Sequence, residues 1–76
     1  MKASELHDLL VTNLVKTQGG TRRRWRMAIG SIRLKDATTH PHCNWSVEPS
    51  GAEPDIAAIE RLLDDVRQAH PLVTAG

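Results

Sequence analysis

The sequence predicts a small α+β domain of order α-β-β-α, with two helices packed on one face of a short antiparallel sheet. Three observations carry this. Stretches near the two ends repeat apolar residues at helical spacing. The middle of the chain alternates apolar and polar residues with period two. Gly19-Gly20 and Pro49-Ser50-Gly51 mark breaks between these regimes. At 76 residues the chain is one domain, 1–76, with no repeat or low-complexity tract.

The first helix is predicted over residues 4–18. Ser4 is a good N-cap, and Glu5 and Asp8 lie in the first turn, where the helix dipole favours acids. Leu6, Leu9, Leu10 and Leu14 form one stripe, widened by Val11 and Val15, and Gly19 supplies a C-terminal stop.

A strand is predicted over 22–35. Trp25, Met27 and Ile29 alternate with Arg24, Arg26 and Ala28, so the apolar set shares one face. Ile32 and Leu34 then have the opposite parity. A β-bulge at Gly30-Ser31 would restore a single apolar face, because one extra residue flips every later side chain. A second strand is predicted over 42–48, with Cys43, Trp45 and Val47 inward and His42, Asn44 and Ser46 outward. The last helix is predicted over 54–70: Pro54 suits the first turn, Glu53 and Asp55 suit its dipole, and Ile56, Ile59, Leu62, Leu63, Val66 and Ala69 form the buried stripe.

Composition bounds the function classes. A chain this short buries only roughly 60% of its unfolded surface, so its core is thin, and oligomerisation is a common remedy. An edge-exposed two-stranded sheet adds to the expectation of a homodimer. The single Cys43 excludes an internal disulfide and fits a reducing compartment. No apolar run approaches the ~20 residues of a membrane span. Met1-Lys2-Ala3-Ser4-Glu5 does not resemble a secretion signal, so a cytoplasmic location is expected.

Charge is the main functional signal. Residues 9–35 contain no acid and hold seven of the ten Lys and Arg, namely Lys16, Arg22, Arg23, Arg24, Arg26, Arg33 and Lys35. Residues 36–76 carry seven acids against Arg61 and Arg67. The formal +1 therefore hides a basic segment beside an acidic one, which bears on surfaces and partners rather than on fold. With the bulge, Arg24, Arg26, Arg33 and Lys35 gather on the outer sheet face, with Arg22 and Arg23 at its rim. His42 and Asn44 on the neighbouring strand would add hydrogen bonds. Guanidinium groups at this density bind phosphates or carboxylates. Trp25, in phase with the core, is not available as a base-stacking platform. The plain alternative is a solvated face whose long side chains discourage edge aggregation.

Other candidates are weaker. His40-Pro41-His42-Cys43, with His70, offers zinc-competent ligands, but His42 and Cys43 face opposite sides of a strand and no standard ligand spacing occurs. An inward Cys43 is also unsuited to nucleophilic catalysis. Glu60 and Asp64 share one turn of the last helix opposite its apolar stripe, where exposed carboxylates make poor general acids at neutral pH. Gly19-Gly20-Thr21 lacks the Lys and the following helix of a phosphate-binding loop.

The expectation is thus a small non-enzymatic binding or adaptor module without a cofactor, acting through its basic sheet face on a protein partner or on itself. The alternative is a nucleic-acid-binding accessory protein contacting phosphates through the Arg-rich strand, and a more remote one is a His/Cys metal-binding protein.

Overall fold

The first helix begins one residue earlier than its apolar pattern requires. In the computed structural model, which describes all 76 residues, α1 spans Ala3–Gln18. Ser4 is not its cap. The Lys2 N–H donates to the Glu5 carboxylate at 2.9 Å. The Ala3 and Ser4 N–H groups donate to the carbonyls of Thr74 and Gly76, at 2.8 and 2.6 Å. Helix N-termini leave N–H groups without intrahelical partners, and here the C-terminal segment accepts from two of them. The Thr74 N–H donates back to the Met1 carbonyl at 2.9 Å. Leu6, Leu10, Val11 and Leu14 are buried, as the stripe predicts, and Gly19 ends the helix with φ 79°.

Residues 22–29 correct the sequence expectation: they form a helix, α2 (Arg22–Ile29), not a strand. The Thr21 side chain caps it by accepting from the Arg24 N–H at 3.1 Å. Gly30 closes it with φ 68°, its N–H donating to the Arg26 carbonyl at 3.0 Å. Gly30 is thus a helix stop and not the site of a bulge. Trp25, Ala28 and Ile29 are buried and Met27 is 68% exposed. Trp25 and Ile29 satisfy both a period of two and an i, i+4 spacing; Met27 and Ala28 decide between them, and they decide for the helix.

The strands are much shorter than predicted. β1 (Arg33–Leu34) pairs antiparallel with β2 (Trp45–Ser46), in the register Arg33 to Ser46 and Leu34 to Trp45. The Lys35 N–H donates to the Asn44 carbonyl at 2.7 Å and extends this ribbon by one bond. In the connecting loop the Asp36 carboxylate accepts from the Thr38 N–H and hydroxyl, which lowers its pKa below the ordinary aspartate value.

The last helix, α3 (Glu53–Ala69), keeps the predicted first turn with Glu53, Pro54 and Asp55, and buries Ala58, Ile59, Leu63 and Val66. The molecule is therefore a mixed α+β fold of order α-α-β-β-α, with three helices and one two-stranded antiparallel ribbon. Fourteen buried residues make a single core, to which α1, α2 and α3 all contribute together with Trp45, Val47 and Val73. Two helices lying on one sheet face is not the arrangement, because α2 occupies the position assigned to the long strand and packs against both α1 and α3.

Candidate functional site

The helical turn of 22–29 redistributes the arginines. Successive side chains are ~100° apart around a helix, so the buried Trp25, Ala28 and Ile29 define an inner side. Arg23 and Met27 lie on the side opposite, at i and i+4, and the exposed Arg26 neighbours Arg23 at i+3 toward the Arg22 flank. Arg22 and Arg24 fall on the two flanks.

The flanking arginines are engaged within the chain. Arg22 donates to the Thr12 hydroxyl at 3.1 Å and to the Asp8 carboxylate at 3.3 Å, both on α1. Arg24 grips Asp55 of α3 with two bonds, Nη2 to Oδ1 at 2.7 Å and Nε to Oδ2 at 3.2 Å. The Arg24 guanidinium also lies 5.2 Å from the centre of the Trp25 ring. Asp55 is the least exposed partner in any ion pair of the chain, at 14%. These bonds tie α2 to α1 on one flank and to α3 on the other.

Arg33 pairs with Glu48 at 3.4 Å. The remaining ion pair joins Arg67 to Asp64. Arg23, Arg26 and Lys35 pair with no acid of the chain.

Four residues expected together on a sheet face are therefore separated. Arg24 and Arg26 belong to a helix, Arg33 and Lys35 to the ribbon, and Arg24 and Arg33 are held by acids. His42 is exposed in the loop before β2.

Asn44 is a correction of a different kind. It was expected outward among the binding residues, but it is buried, 7% exposed. Its Nδ2 donates to the Val73 carbonyl at 2.7 Å and its Oδ1 accepts from the Val73 N–H at 2.9 Å, so the side chain stands in for a strand neighbour. Leu34, expected on the core face, is 41% exposed, and Met27 is the α2 residue that the sequence expectation misplaced in the core. The signal that could have found it was present in Thr21 and Gly30, which bracket eight residues as N-cap and stop.

The zinc-competent residues do not converge, and no three His, Cys, Asp or Glu side chains form a group able to hold a metal ion. The Cys43 thiol donates to the Trp45 carbonyl at 3.3 Å, and His40 Nδ1 lies 2.9 Å from the Thr39 hydroxyl. A cleft of about 320 Å³ runs beside Met27, lined by Arg24, Ala28, Ser50, Gly51 and Asp55.

If Arg24 is a clamp and Arg23 a free surface group, their truncation should differ. Arg24→Ala is expected to lower unfolding stability by about 1–2 kcal/mol, as a bidentate pair with a largely buried carboxylate would. Arg23→Ala is expected to stay within about 0.5 kcal/mol of the parent. Urea unfolding of both variants checks this, and equal effects would contradict the division.

What the fold and this surface define is a small α+β domain carrying a basic helix crest. Comparison of the chain with protein-family models, with curated proteins and with solved structures finds no match. No helix is long and apolar enough to cross a membrane.

Proposed function

We propose that this chain is a small non-enzymatic binding module that docks an acidic protein surface on the outer face of α2. One observation carries the proposal. Arg23 and Arg26 are without an acidic partner in the chain and lie next to Met27, the most exposed large apolar side chain, on a helix tied to its neighbours through Arg22 and Arg24. Guanidinium groups bond carboxylates in forked geometry, while a flexible thioether adapts to an apolar partner. Arginine and methionine are enriched where proteins meet. The helix is also held in place beforehand, which lowers the ordering cost of binding.

A nucleic-acid partner is the less favoured class. Single-stranded nucleic acids are bound by exposed aromatic rings alongside basic grooves, and Trp25 and Trp45 are only 1% and 2% exposed. Phosphate contact by Arg23, Arg26 and Lys35 alone would be sequence-neutral and strongly salt-dependent.

The test measures binding of an acidic peptide of alternating Glu and Leu, and of duplex and single-stranded DNA, across a salt series. The expected result is retention of the peptide over both DNAs, with Arg23→Ala/Arg26→Ala weakening it by about tenfold for two lost charge-assisted contacts. Tighter retention of DNA with a steep salt slope would transfer the assignment to nucleic acid. No binding of the peptide even at low salt would end the proposal.

A further inference from the structure

The outer face of α3 carries an acidic ridge of its own. Glu53, Ala57, Glu60 and Asp64 recur at i, i+4, i+7 and i+11, one stripe of a helix, and all four are exposed. Their stripe lies opposite the buried Ile59, Leu63 and Val66. Ala57 is the small member, flanked one turn away on either side by Glu53 and Glu60. The crest of α2 carries the opposite charge, with Arg23 one turn before the long apolar Met27 and Arg26 beside it. Glu53 and Glu60 form no ion pair in the chain, and neither do Arg23 and Arg26. Of the cations on this side of α3, Arg61 donates to the Ala57 carbonyl at 3.4 Å and Arg67 pairs with Asp64.

From this complementarity we propose that the acidic partner of α2 is the α3 ridge of a second copy of this chain. The inference rests on the docking role assigned to α2 above. The unpaired Arg23 and Arg26 of one protomer face the unpaired Glu53 and Glu60 of the other as a charged pair of surfaces, with Met27 lying against the small Ala57. The two surfaces belong to neighbouring helices joined by the Arg24–Asp55 clamp, so they keep a constant mutual position. A twofold arrangement makes the contact twice, α2 on α3 and α3 on α2, and closes the assembly as a dimer without free ends. Opposite charges set against each other in this way favour correct orientation and suppress other pairings. A thin-cored chain with only 15 of its 76 residues buried also gains apolar burial from association.

The experiment is sedimentation over a concentration series at low and high salt, using the full chain and two charge-reversal variants, Arg23→Glu/Arg26→Glu and Glu53→Arg/Glu60→Arg. Circular dichroism establishes that each variant keeps its helix content. The parent is expected to dimerise, about tenfold more weakly at high salt because the pairs are exposed and screened. Each variant alone is expected to be monomeric, and an equimolar mixture of the two to recover a heterodimer in which one α2–α3 contact is native and the other charge-inverted. A third variant, Met27→Asp, is expected to weaken association without recovery in either mixture. A parent that stays monomeric throughout, or a dimer indifferent to both reversals, overturns the inference. A monomeric parent that still binds the Glu/Leu peptide through Arg23 and Arg26 would overturn the inference alone and leave the docking role standing; loss of both would remove the two together.

Discussion

Truncating Trp25 to alanine is expected to remove about 3–5 kcal/mol of unfolding stability, the cost of emptying a large aromatic site in a core. A 76-residue domain has roughly 4–11 kcal/mol in total, so the variant should be largely or marginally unfolded at ambient temperature. The site explains the size of the effect. Trp25 is 1% exposed and is the largest side chain that α2 places in the core. Its Nε1–H donates to the Gly19 carbonyl at 2.7 Å, directly after α1 ends, so the ring also secures the α1–α2 corner. Trp25→Phe should cost less, about 1–2 kcal/mol, because it keeps most of the apolar fill and loses the hydrogen bond. Urea unfolding followed by the fluorescence of the remaining Trp45 measures both. A cost below 1 kcal/mol for the alanine variant would mean that α2 is not anchored as described. The functional consequence follows from the same geometry: without Trp25, Arg23, Arg26 and Met27 no longer share a fixed crest.

Asn44→Leu is the second large effect. Leucine has the same heavy-atom count and branching but no amide, so the Val73 N–H and carbonyl would lose the partners they have at 2.9 and 2.7 Å. Buried polar groups left unpaired cost about 1–3 kcal/mol each, so about 2–6 kcal/mol is expected for the two. The local signature is more specific than the total. Val73 precedes Thr74, which exchanges hydrogen bonds with Met1 and Ala3, and Gly76 accepts from Ser4. Releasing Val73 should therefore raise amide exchange at Val73, Thr74, Ala3 and Ser4 well before the middle of α1 or α3 is affected. Hydrogen exchange read residue by residue checks this, and unchanged protection at Ala3 and Ser4 would show that the termini hold together without Asn44.

Both effects concern residues whose roles the sequence only half disclosed. The burial of Trp25 was legible, because every periodicity that fits residues 22–29 turns it inward. Its setting was not. A strand and a helix both place Trp25 and Ile29 on the same side, and eight residues are too few for periodicity alone to separate them. Arginine, alanine and methionine are good helix formers, and Thr21 and Gly30 stand where a cap and a stop belong. Local punctuation thus held information that the alternating hydrophobic pattern overrode. Asn44 was illegible for another reason. Its polarity and its place between Cys43 and Trp45 point outward under strict alternation, whereas a paired amide is tolerated inside when a backbone segment offers both a donor and an acceptor. The segment in question lies 29 residues further on.

The candidate surface was visible as composition and invisible as geometry. The acid-free run of residues 9–35 announces a basic element, but its partner acids come from elsewhere: Asp8 lies 14 residues from Arg22, and Asp55 lies 31 residues from Arg24. By itself the sequence determined α1 and α3, whose long apolar stripes admit one period, the burial of both tryptophans, and the separation of basic from acidic halves. Only the tertiary structure decided that residues 22–29 are helical, that Arg22, Arg24 and Arg33 are occupied within the chain, and that Arg23, Arg26 and Met27 are free together. The physical reason is range. Helical stripes and charge composition are set by neighbours within a few residues, whereas the choice between two short-range patterns and the pairing of each charge depend on groups that only folding brings within bonding distance.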